Sequence, residues 1–182
     1  MRLIFLCGLI VLSSLILWQG AADPPREDEV FWQSQDLSTL PEISTPDHFT
    51  LEVTATLPDD QLAEWGIWLD NGNQTWTLVA INGGQYVTAR TCPALYTGEL
   101  RNCEPFTEPN QGIMTYWKAF HHLRPGSEAN TIRLHRINGH LALRLNNEWM
   151  WDIPFATTAE CLQWGLWTAN QQPEWGQATV WN

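Results

Sequence analysis

The sequence predicts an all-β sandwich or jelly roll, and three observations carry the prediction. Apolar and polar residues alternate along about ten short segments, tight-turn residues separate those segments, and no run of ten or more residues carries an apolar stripe at helical spacing. The clearest segment is 49–57, where Phe49, Leu51, Val53, Ala55 and Leu57 alternate with Thr50, Glu52, Thr54 and Thr56. Side chains along a strand point to opposite faces in turn, so this one has an apolar face and a polar face. The next strand, 64–70, places Trp65, Ile67 and Leu69 together. Asn71-Gly72-Asn73 turns the chain into 75–81, and Asn82-Gly83-Gly84 turns it again into 85–90. Turns this close together force an antiparallel meander. A less regular stretch runs from Cys103 to Gly112, followed by a strand at 113–120 and a loop containing Pro125-Gly126. Strands 131–137 and 141–145 form a hairpin about Asn138-Gly139. Asn146-Asn147 leads into 149–153, Pro154 ends that strand, and 162–168 and 178–181 complete the set. Residues 157–162 have room for one helical turn.

The chain opens with Met1-Arg2, an apolar run over 3–18, and small residues before Pro24-Pro25, the layout of a secretory leader. Gly20 and Ala22 occupy the small positions that leader cleavage favours, so the expected organisation is a signal peptide at 1–22. An uncleaved N-terminal anchor is the alternative, because the apolar run is intermediate in length between a leader core and a membrane span. Residues 23–47, with four prolines and Glu27-Asp28-Glu29, read as an acidic linker in which Val30-Phe31-Trp32 docks as a short first strand. The β-sandwich domain is then 48–182, one domain by length. Twenty Asp and Glu stand against nine Lys and Arg, a net charge of -11. An acidic surface repels phosphate backbones and anionic lipid, which argues against nucleic acid as a partner and leaves the N-terminal anchor as the one route to a membrane. The expected location is secreted or cell-envelope.

Cys92, Cys103 and Cys161 follow the leader. In an oxidising compartment Cys92 and Cys103 would close a loop as a disulfide, with Cys161 left as a buried thiol; an intermolecular link, or pairing of Cys161 with either of the others, is also open.

Several words in order resemble a known family: Phe49-Thr50-Leu51-Glu52-Val53, Trp65-Gly66-Ile67-Trp68, Asn82-Gly83-Gly84-Gln85-Tyr86, the strand around Trp117, Asn130-Thr131-Ile132-Arg133-Leu134, the Asn138-Gly139 hairpin, Leu143-Arg144-Leu145-Asn146-Asn147-Glu148, and Trp164-Gly165-Leu166. Together they resemble concanavalin A-like lectin/glucanase domains, in the laminin-G-like and 3-keto-disaccharide-hydrolase-like branches, over 49–182. The resemblance implies a two-sheet antiparallel jelly-roll sandwich whose members bind or cleave carbohydrate. Fold alone does not fix function.

Retaining glucanases need two carboxylates about 5 Å apart. The chain has no Glu-x-Asp-x-x-Glu word; of the candidates Glu148 and Asp152, Glu148 lies at the hairpin turn, where the family has a polar turn residue, and Glu64 and Asp70 share a strand face about 20 Å apart. No catalytic residue is therefore assigned. His121, His122, His135 and His140 match no zinc spacing and read as solvated loop residues. Asp70, Asn71 and Asn73 have the oxygens of a calcium loop but suit a plain turn, so calcium is a minor alternative and no metal site is assigned. Asn73-Gln74-Thr75 is a glycosylation sequon, meaningful in a eukaryotic host.

Twelve tryptophans are the remaining excess. Two recur in near-identical words, Trp65-Gly66-Ile67-Trp68 and Trp164-Gly165-Leu166-Trp167, and residues three apart on a strand face opposite ways. Trp65 aligns with Ile67 and Leu69 and Trp164 with Leu162 and Leu166, which makes both core residues. Trp68 and Trp167 then face outward, Trp68 with Glu64, Gly66 and Asp70, Trp167 with Gln163 and Gly165. If the two strands are neighbours, the outward rings form a pair above a glycine floor, either open to a sugar ring or covered by the spacer or the 92–103 loop as a second core. Trp149 and Trp151 share a face with Ile153 and are expected in the core, and Trp175 in a loop. The expected ligand-binding set is Trp68, Trp167, Glu64, Asp70 and Gln163, in an exported, non-catalytic module for carbohydrate. A glycoside-processing domain and a cell-envelope protein-interaction module are the alternatives.

Overall fold

A computed structural model describes residues 29–93, 100–105, 107–108, 112–113 and 117–181. Among them the chain forms fourteen strands and one 3-10 turn: β1 Val30–Ser34, β2 Phe49–Thr56, β3 Glu64–Asp70, β4 Thr75–Asn82, β5 Tyr86–Pro93, η1 Leu100–Asn102, β6 Glu104–Pro105, β7 Thr107–Glu108, β8 Gly112–Ile113, β9 Lys118–Ala119, β10 Ala129–Ile137, β11 His140–Leu145, β12 Glu148–Pro154, β13 Trp164–Ala169 and β14 Glu174–Trp181. The first sheet runs β1-β14-β2-β10-β11-β12, and the second runs β13-β3-β4-β5-β6 with β9 also on β5; β7 and β8 pair separately. Every pairing is antiparallel. The sheets stack through their apolar faces, as a jelly-roll sandwich requires.

Alternation decides which face is which. In β2, Phe49, Leu51, Val53 and Ala55 are buried, while Thr50, Glu52, Thr54 and Thr56 face outward. Trp65, Ile67 and Leu69 of β3 meet them from the second sheet, all fully buried. On the outer side of the first sheet polar partners replace packing: Thr54 meets Thr131 and Thr50 meets His135, each at 2.8 Å, and Arg133 donates to Glu52 at 2.6 Å. The hairpin turns use the residues that tolerate positive φ, Asn138 (49°) with Gly139 (83°), and Asn146 (53°) with Asn147 (72°).

The segment expected as a spacer packs on the domain over part of its length. β1 pairs with β14, Leu37 and Leu40 lie against the core, and Ile43 is fully buried and exchanges backbone hydrogen bonds with Leu162. The Pro41 carbonyl accepts the Trp164 Nε1–H at 2.8 Å. The core therefore begins ahead of His48. Residues 1–22, the expected leader, lie outside the described residues.

Five expectations change. Trp149 is 57% exposed. The register slips where Leu143 and Arg144 face Trp151 and Trp149, so one extra residue bulges from β12; Met150 and Trp151 both turn inward and Trp149 outward. Trp175 lies within β14 and meets Trp65 edge-on at 5.7 Å between centroids. Residues 157–162 contain no helical turn, and Leu162 bridges to Ile43 instead. Cys161 is exposed, because the inward Leu162 next to it turns its neighbour outward. His135 is buried in β10, held by Thr50 and set edge-on to His48 at 5.8 Å, and is not a solvated loop residue.

Candidate functional site

The outer face of the second sheet carries the chemistry, and strand pairing lays it out in rows. β3 and β13 are neighbours, with Trp68 opposite Gly165 and Trp167 opposite Gly66, so each outward ring faces the glycine of the other word. On the other side of β3, Trp68 pairs with Leu78 and Asp70 with Trp76. Trp68 and Trp76 stack with centroids 5.2 Å apart and planes tilted by 31°. The Trp68 indole lies flat over Gly165: a Cβ there would sit 2.5 Å from Trp68 Cε2 and Cζ2. An aromatic ring laid across a bare glycine on an edge strand is a known way to shield that backbone. Gly66 differs, because the space its Cβ would need is filled by the Val79 carbonyl and by Ala80 of β4.

Three of the five expected residues gather at this end. Asp70 accepts the Gly72 N–H at 2.8 Å through Oδ1 and gives its own N–H to the Gln163 carbonyl at 2.9 Å. Gln163 is exposed and donates through Nε2 to Glu42 Oε1 at 3.2 Å. Trp68, Trp76, Asp70 and Gln163 thus form a half-open aromatic surface with a carboxylate and an amide on its rim. Trp76 was invisible to the sequence argument because it lies in no repeated word; its cross-strand position opposite Asp70 is what brings it in.

Trp167 and Glu64 lie toward the opposite end of β3. Trp167 is 8% exposed, packed with Leu78, Ala80, Cys92 and Cys103, while Trp68, Leu100, Trp117 and Ala169 lie against that cluster. The Cys92–Cys103 disulfide is formed and closes this small second core. Buried Arg90 fastens the cover: Nε donates to Thr88 Oγ1 at 2.9 Å, an Nη1–H to the Leu100 carbonyl at 2.7 Å, and the guanidinium lies 5.9 Å from the Trp117 ring centroid. Parity therefore places both tryptophans on the outer face, and the cover buries Trp167 while Trp68 and Trp76 stay half-buried. Glu64 is half-buried opposite Asn82 and Ala169. Desolvation raises its pKa above the ordinary glutamate value, and the charge of Arg90 opposes that rise.

The turn oxygens named as calcium candidates are engaged internally. Asn71 Oδ1 accepts the Thr77 hydroxyl at 3.0 Å and Asn73 Oδ1 the Thr75 hydroxyl at 2.6 Å, alongside the Asp70 bond above. Among the described residues no group of three or more His, Cys, Asp or Glu side chains is arranged to hold a metal ion.

No protein-family model matches the chain, and no curated protein matches it. Solved structures do. The galectin LEC-6 of Caenorhabditis elegans superposes with a TM-score of 0.51 at 11% identity, covering 82% of this chain and 94% of that one. A toad ovary galectin in complex with thio-digalactose superposes with a TM-score of 0.50 at 7% identity, covering 77% and 96%. The fold is a concanavalin A-like jelly roll. On this jelly roll the aromatic rows described above occupy the outer face of one sheet, away from the core that both sheets share.

Proposed function

We propose that this domain is an exported, non-catalytic carbohydrate-binding module whose ligand stacks on Trp68 beside Trp76. Asp70 and Gln163 supply an acceptor and a mixed donor-acceptor for hydroxyls at the rim. Trp167 backs the platform from within the second core, and Glu64 marks the far end of the same face. The observation that carries the reading is the tilted Trp68–Trp76 pair, with Trp68 set over Gly165 and Asp70 in the adjoining row. A sugar ring offers an apolar face for such a surface and hydroxyls for its rim, whereas an acidic rim suits neither phosphate nor nucleic acid. The fold likeness supports the ligand class, since the toad galectin of the same fold is a complex with thio-digalactose. The disulfide supports export into an oxidising compartment.

Glycan-array binding of the full chain, beside Trp68→Ala and Trp167→Ala, tests the reading. Loss in Trp68→Ala, with the fold retained, of binding to at least one glycan that the wild type captures supports it. An intact chain that captures no glycan counts against it and favours the protein-interaction alternative.

A further inference from the structure

The opposite side of the sandwich carries a second aromatic surface. Regular alternation along β12 would bury Trp149, Trp151 and Ile153 and leave Met150 outside. The bulge instead buries Met150 and leaves Trp149 57% exposed, the larger apolar side chain outside and the smaller one inside. Burial energetics favours the reverse arrangement, and bulges are known devices for re-aiming a side chain beside a functional site.

The surroundings of Trp149 are those of an amphipathic ligand site. Its cross-strand partner is Arg144, which is held by an Nη1–H bond to the Asn147 carbonyl at 3.0 Å. The next outward pair is Ala142 opposite Asp152. Asp152 Oδ1 accepts the Trp149 Nε1–H in a long contact of 3.5 Å, which sets the indole edge toward that carboxylate. An exposed ring therefore stands on a strand pair with Arg144 directly across from it and with Ala142 and Asp152 as the next outward pair. A guanidinium donates and a carboxylate accepts, and neighbouring hydroxyls of a neutral pyranose present both complements while the ring's C–H face meets the indole.

We propose that Trp149, Arg144 and Asp152 form a second saccharide-binding surface for neutral pyranose units, on the outer face of the first sheet. It stands independently of the Trp68 surface, because different residues on the opposite face carry it. A chain with both surfaces can bridge two glycan strands without dimerising.

The test isolates this surface in the full-length Trp68→Ala chain. The Trp149 indole N–H resonance is assigned by its loss in Trp149→Phe, and cellohexaose, laminarihexaose, maltohexaose, xylohexaose and chitohexaose are titrated in turn. The expected result is a saturable shift of that resonance with at least one of the five, weakened about tenfold in Asp152→Asn or Arg144→Gln. No shift with any of them overturns the proposal, as does a shift insensitive to both substitutions. The outcome separates the two surfaces: a wild-type chain that binds glycan while Trp68→Ala shows no Trp149 response keeps the first and removes the second.

Discussion

Replacing Gly165 by alanine probes the contact on which the Trp68 platform rests. The new Cβ would lie 2.5 Å from two carbons of the Trp68 ring, whereas carbon atoms in contact prefer about 3.5–4.0 Å, so the indole must retreat by about 1 to 1.5 Å. Overpacking of this kind costs about 1–3 kcal/mol. Alanine also restricts the unfolded chain, which returns about 0.4–1 kcal/mol where the backbone conformation is compatible. Gly165 lacks positive φ, so the gain applies and the net loss is about 0 to 2.6 kcal/mol. The informative quantity is the coupling. In a Trp68→Ala background the obstacle is gone, and Gly165→Ala should become stabilising by about 0.4–1 kcal/mol. Urea unfolding of the wild type, both single variants and the double variant measures it, with an expected coupling of about 1–3 kcal/mol. Additivity within about 0.5 kcal/mol would show that the ring does not rest on Gly165 and would refute the geometry of the site.

Other consequences are as specific. Removing the Cys92–Cys103 crosslink as the double alanine variant should cost about 2.8 kcal/mol by loop entropy for a sequence separation of 11, read from the urea midpoint; a loss under about 1 kcal/mol would contradict a crosslink that fastens the second core. Glu64 has its folded-state pKa raised by burial, so its favourable contribution is complete below the ordinary glutamate range and is lost as pH rises through the folded-state value. Glu64→Gln should therefore gain thermal stability over wild type at neutral pH and lose that advantage in acid, and a difference independent of pH would contradict it. The Asp70 rim should disfavour anionic sugars, so Asp70→Asn should narrow the preference for neutral oligosaccharides over oligogalacturonate in a competition assay; an unchanged ratio would remove Asp70 from the site.

How far the molecule could be read in advance depended on whether geometry had a period. β2 and β3 were legible because alternation runs unbroken through Phe49–Thr56 and Glu64–Asp70, and the same parity placed Trp65 and Trp164 in the core and Trp68 and Trp167 on the outer face. The bulge at Met150 was not, because a Trp-x-Trp-x-Ile spacing looks the same whether or not one residue slips. Trp76 and Arg90 escaped notice for a different reason. Their roles arise from partners on the next strand or loop, the Trp68 ring in one case and the Leu100 carbonyl in the other, and no repeated word marks them. The covering of Trp167 likewise depends on Leu100, Cys103 and Trp117, distant in sequence from β13. Docking of Leu37, Leu40 and Ile43 on the sandwich was masked by the prolines and turn-like residues around them.

The most direct measurement of the central claim is the affinity of the strongest array glycan for two full-length variants, Trp149→Ala and Trp149→Ala with Trp68→Ala. With the second surface removed from both, any remaining binding belongs to the Trp68 face. Retained binding in the first variant and a loss of at least about tenfold in the second, near 1.4 kcal/mol, is the predicted result. Equal affinity in the two would contradict a carbohydrate site built on Trp68.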